Sequence, residues 1–265
     1  MTDLSSLQLV LIGLIFIWSG FVRSGLGFGG AVLSLPFLLM IDNQPLVFLP
    51  IISVHLLFFA SLTVWQNSRR STLTHSNSNT ANIIESTIEW PYLRRVLAIM
   101  IVPKLIGVFG LLLLPSAIMS SIIFSIVAVY SITYITNKPF KSNSKILDVV
   151  FLMLGGYISG TSLIGAPLII AVMANHLDKH KLRDTLFVLW FILVTIKMAA
   201  FIYVGLDLQL IHHIWLLPCA AIGHVIGLRA HDKMLNAETP VFFRVLGITL
   251  LIISLIGLYQ GWQQV

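Results

Sequence analysis

Gly25, Gly27, Gly29 and Gly30 interrupt an apolar run that extends from Leu7 to Ile41. The stretch reads Ser24-Gly25-Leu26-Gly27-Phe28-Gly29-Gly30-Ala31, with Pro36 after it. Each glycine costs a helix roughly 1 kcal/mol relative to alanine, so a continuous helix is the structure this run resists. The device returns 135 positions later as Ser159-Gly160-Thr161-Ser162-Leu163-Ile164-Gly165-Ala166-Pro167. The two copies match at the Ser-Gly pair, at the Gly-Ala pair and upstream at Gly20 and Gly155. Two related halves are expected, residues 1–136 and 137–265.

The medium follows from composition. The chain is 57% hydrophobic and 10% charged, with a mean hydropathy of +0.96, outside the range of a soluble domain. The reading is an all-α integral membrane protein. The N-terminus lacks a basic n-region, so the first run is taken as a membrane segment rather than a cleaved signal. One cysteine, Cys219, excludes an internal disulfide and a multi-cysteine metal site. No metal and no cofactor are expected. The net charge of +6 is spread over membrane-flanking loops instead of forming one patch, which speaks for a lipid bilayer and against nucleic acid as partner.

A helix needs about 20 apolar residues to cross the hydrocarbon core. Six runs fit: Pro45 to Gln66, Tyr92 to Leu114, Ser116 to Thr136, Leu182 to Leu206, Leu208 to Leu228 and Pro240 to Trp262. The two glycine-bearing runs, Leu7 to Ile41 and Ile146 to His176, are too long for one untilted helix and too short for two complete ones. Each is read as a broken or re-entrant helical pair, giving about 8 membrane helices in all. The polar loop 67–91 is expected on the cytoplasmic side, with Ile83, Ile84, Ile88 and Trp90 forming a short amphipathic turn.

Basic residues test the turn-back. If both glycine-bearing runs return to the side they came from, every Lys and Arg except Arg23, Lys104 and Lys197 falls on one side. That side is then cytoplasmic. The opposite connections carry Asp3, Asp42 and Asp207, and both termini are expected on the outer side. The second half then enters the membrane from the side opposite to the first. Inverted repeats with broken helices are a transporter design that places a site near the midplane.

Arg23, Lys104 and Lys197 lie within apolar runs, where a cation is costly and usually faces a cavity or a partner. No carboxylate lies inside a span to match them, so an anion is the expected partner. A helix starting at either glycine cluster offers unpaired N–H groups and a positive dipole end. The expected substrate-binding set is Arg23, Ser24, Gly25, Gly27, Gly29, Gly30, Ser159, Gly160, Ser162, Gly165, Lys104 and Lys197. The Gly107/Gly110 and Gly223/Gly227 pairs read as close helix packing. His55 and His224 are the candidates for a proton relay.

At these residues the chain resembles the sulfite exporter TauE/SafE family of bacterial anion permeases. The likeness rests on Gly20, Ser24 to Gly30 and Pro36, on the echo from Gly160 to Pro167, and on the helix count. The family's second copy tends to read Gly-x-x-Gly-x-Gly-Gly-Pro, whereas this chain has Leu163 and Ala166 at two of those glycine places. The resemblance implies transport of small sulfur-containing anions or organic acids, such as sulfite, thiosulfate or sulfonates, across the cell inner membrane. The alternatives are a proton-coupled importer of a small organic acid and, in another class, an intramembrane hydrolase using Ser162. The short Gly-x-Ser pattern without an oriented base argues against the hydrolase, and no enzymatic activity is expected.

Overall fold

A computed structural model of the chain describes residues 4–26, 29–75, 88–236 and 240–263. Both glycine-bearing runs break where the glycines stand. The first forms α1 (Ser6–Leu26) and α2 (Gly30–Ile41), and the second forms α6 (Lys145–Ser162) and α7 (Ala166–His176). The rest are α3 (Pro45–His75), α4 (Trp90–Leu113), α5 (Ser116–Ile135), α8 (Lys179–Tyr203), α9 (His213–Asn236) and α10 (Pro240–Gln263). A single 3-10 turn, Leu210–His212, precedes α9, and no strand occurs among the described residues.

Seven of these helices are long and apolar enough to cross a membrane: α1, α3, α4, α5, α8, α9 and α10. The 12-residue α2 and 11-residue α7 are apolar but too short. The 18-residue α6 is not among the seven, and it opens on Lys145 and Asp148. The proposed amphipathic turn lies largely outside the described residues.

The side chains sort by face. On α4, Val102, Leu105, Ile106, Phe109 and Leu113 are exposed, at the spacing of one helical stripe. The opposite stripe buries Met100, Lys104, Gly107, Val108 and Leu111. A stripe of large apolar side chains turned outwards while a lysine is turned in is the pattern of a lipid-facing helix.

The principal packing pairs are α1 with α9, α4 with α6, α5 with α10 and α3 with α8. This set maps onto itself when each helix of the first five is exchanged for its counterpart in the second five. The first helix of each half therefore packs on the fourth helix of the other.

Glycines make two of these crossings close. A Cβ on Gly20 would run into the Ala220 carbonyl, and one on Gly223 or Gly227 would run into the carbonyl of Ile17 or Phe21. Between α4 and α6, Gly107 faces the Tyr157 carbonyl, while Gly156 and Gly160 face the carbonyls of Met100 and Lys104. Gly110, expected to pair with Gly107 in packing, has no atom within 4 Å of the place its Cβ would take.

Candidate functional site

The two breaks meet. A cavity of about 50 Å³, more than the space one water needs, is lined by Arg23 at the end of α1 and by Gly29 to Val32 at the start of α2. Ser159, Leu163 and Ala166 line it from the second break, and α3 and α8 close it with Leu56, Ala60, Phe187, Trp190 and Val194. Residues from both halves thus share one space.

The start of α2 is set by Gly29, whose φ of +86° suits glycine and strains other residues. The Leu33 N–H donates to the Gly29 carbonyl, so the N–H groups of Gly30, Ala31 and Val32 precede the first intrahelical bond. The Ser19 hydroxyl donates to the Gly30 carbonyl (3.2 Å), tying α1 to this end. In α7 the Ile169 N–H donates to the Gly165 carbonyl, so the N–H groups of Ala166 and Leu168 precede its first intrahelical bond, and Pro167 between them has no N–H. Among the described residues, the start of α2 has three such N–H groups and the start of α7 two.

Arg23 is 6% exposed. Its Cζ lies 4.1 Å from the centre of the Phe59 ring, a cation–π contact. Its Nη2 is buried without a hydrogen-bond partner among the described residues.

Lys104 and Lys197 sit elsewhere. Both are fully buried, and neither lines the cavity. The Lys104 ammonium donates to the Ser159 carbonyl (2.8 Å) and hydroxyl (3.0 Å). Lys197 donates to the Thr161 carbonyl (3.1 Å). These carbonyls belong to the last turn of α6, where the helix dipole favours positive charge. The two lysines hold the broken end of α6, and Ser159 carries Lys104 to the cavity wall.

The other expected residues divide between the same two duties. Ser24 shares a hydrogen bond of 2.5 Å with Nδ1 of His224 on α9. Gly25 approaches Gly227, and Gly160 approaches α4. The Ser162 hydroxyl donates to the Ile158 carbonyl, and Gly165 packs against Gly155 and Ser159. Gly27 lies outside the described residues. Of the expected set, Arg23, Gly29, Gly30 and Ser159 line the cavity.

The packing sets the two breaks in a register different from the one the sequence match suggests. A Cβ on Gly30 would lie 3.1 Å from both Arg23 Cβ and the Ser19 carbonyl; a Cβ on Gly165 would lie 3.1 Å from Ser159 Cβ and would meet the Gly155 carbonyl. Gly227 faces Phe21, Ser24 and Gly25 as Gly107 faces Tyr157, Gly160 and Thr161. Equivalent positions in α1 and α6 are thus 136 apart, and only at Gly30 and Gly165 is the separation the expected 135. Arg23, not Ser24, is the counterpart of Ser159. The first half holds one residue more between these points, a difference a single offset hides.

The histidines include one that sequence reasoning missed. The imidazole of His55 bonds to the Ile51 carbonyl through Nδ1 (2.7 Å) and lies 5.2 Å, centre to centre, from that of His213. Nε2 of His55, Nε2 of His224 and Nδ1 of His213 are buried without partners among the described residues. Also unforeseen are Ser19 and the apolar walls Phe187 and Trp190. A serine four residues before Arg23 was the only available signal for Ser19, and an aromatic pair inside an apolar span gives none.

No group of three or more His, Cys, Asp or Glu residues suited to a metal occurs among the described residues. The model of one protein family, described as Sulfite exporter TauE/SafE, matches residues 11–258. No curated protein and no solved structure matches the chain.

Proposed function

The chain belongs to the sulfite exporter TauE/SafE family, and from that premise we propose that it exports a small sulfur-containing or organic anion, such as sulfite, thiosulfate or a sulfonate, across the cytoplasmic membrane. The observation that carries the reading is the cavity at which Arg23 meets the breaks of both halves. A buried guanidinium with an unpartnered nitrogen, beside helix starts that present unpaired N–H groups, is an anion site assembled in advance.

In this reading residues 1–136 and 137–265 are inverted repeats with both termini outside, and the site is exposed alternately to either side. Lys104 and Lys197 keep the α6 break in shape and add positive potential behind Ser159. An interior-negative membrane favours anion exit by about 2.3 kcal/mol per charge per 100 mV. Export then needs no coupled ion.

The unpartnered ring nitrogens of His55, His213 and His224 favour one other reading, a proton-coupled importer in which His55 and His224 relay the proton. Uptake of labelled sulfite and methanesulfonate into inside-out membrane vesicles separates the two. Export predicts uptake that grows with an inside-positive potential and is indifferent to a pH gradient, with the converse for proton coupling. In either case Arg23→Gln lowers uptake at least about tenfold, the order of one charge-assisted hydrogen bond, at equal amounts of folded protein. Undiminished uptake in Arg23→Gln removes the site from this cavity.

A further inference from the structure

Leu163 is the place where this cavity departs from what backbone geometry prefers. It adopts φ +63°, ψ +9° at the C-terminus of α6, a left-handed conformation that is uncommon for branched apolar residues. The other non-glycine residues with positive φ among the described residues are Asn137 and Gln209, both polar. Leu163 is 9% exposed and is one of the residues that line the cavity. The Leu163 N–H makes the last i→i−4 bond of α6, to the Ser159 carbonyl, and the left-handed turn at the same residue ends the helix there. Glycine makes that turn without strain, so the leucine side chain is what the strain retains.

We propose that Leu163 sets substrate choice by giving the anion site an apolar wall, so that the protein prefers anions bearing a small apolar substituent, of the alkanesulfonate type, over anions with oxygen or charge on every side. The inference rests on the anion-transport reading above. Arg23, the two helix starts and Ser159 provide the polar part of the lining. Leu163, Leu56, Ala60, Phe187 and Val194 provide walls without a side-chain donor, and the Trp190 indole N–H is the one exception among the neighbouring side chains. An inorganic oxyanion brought into such a space leaves oxygens unpaired against apolar walls, at the full cost of their desolvation. An alkanesulfonate turns its oxygens to the cation and its carbon to the walls.

The test is competition by methanesulfonate, ethanesulfonate and sulfate against labelled sulfite in proteoliposomes, comparing the unaltered chain with Leu163→Gly and Leu163→Ala. Both variants remove the wall by different backbone routes, so failure of one to fold leaves the other. The expected result is that the unaltered protein prefers the alkanesulfonates over sulfite and sulfate. Either variant then loses about tenfold of that preference, the order of a lost methylene contact in an apolar pocket, read as a ratio of inhibition constants so that a change in overall transport rate cancels. Unchanged preference in both folded variants, or no preference in the unaltered chain, overturns the role of Leu163 and leaves anion transport standing. If the unaltered chain moves none of the anions, anion transport falls and this inference with it.

Discussion

Residue by residue, backbone direction decides which side chains reach the cavity. Leu163 is held in a left-handed conformation that costs an L-residue roughly 1–2 kcal/mol and a glycine almost nothing. The usual order of alanine and glycine should therefore reverse here. Leu163→Gly is expected to be more stable than Leu163→Ala by about 1 kcal/mol, read from unfolding midpoints in one detergent; an alanine variant as stable as the glycine one contradicts the assigned φ. The intramembrane cations were legible in sequence as charges needing a partner, yet the partners differ. Arg23 faces the cavity, whereas Lys104 and Lys197 bond to the carbonyls of Ser159 and Thr161. Which carbonyls lie within reach depends on the helix packed opposite, and no spacing within α4 or α8 encodes that.

Among the elements, the glycines carry two separable duties. Gly29 has a positive φ, and among the described residues only Val22, at 3.7 Å, comes near the place of its Cβ, so conformation fixes it. Gly107, Gly160, Gly223 and Gly227 lie in ordinary helices against a neighbouring backbone, so contact fixes them. Gly110 has neither constraint. Gly107→Ala should destabilise by about 1–3 kcal/mol through overpacking against Tyr157, whereas Gly110→Ala should be neutral or stabilise by up to about 1 kcal/mol through helix propensity. Equal effects in a thermal unfolding assay would deny the close approach of α4 and α6. The second helical pair is fastened at its far end as well, where His176 meets Asp148 at 2.9 Å and the Asn175 amide donates to the Ser142 carbonyl. A hairpin tied at both ends suits a segment that enters the membrane and turns back.

For the whole molecule, the turn-back can be tested directly. Replacing Cys219 by Ser removes the one native thiol, after which single cysteines are introduced at Asp42, Lys141, Lys181 and Asp207. An impermeant maleimide should label positions 42 and 207 in intact cells, and positions 141 and 181 only after permeabilisation. Labelling of 141 and 181 on opposite sides would mean that α6 and α7 together cross the membrane, ending the inverted-repeat reading. The medium, the helices and the places where two apolar runs break are readable from the residues alone. Hydrophobic length and the glycine penalty act within a single segment, so they need no knowledge of neighbours. That the two breaks share a cavity, that Arg23 packs as Ser159 does, and that two buried lysines hold a helix end follow from packing and from nothing local. Those facts are distances between segments far apart in the chain, fixed by which glycine-lined faces of α1, α4, α6 and α9 can approach closely enough to pack.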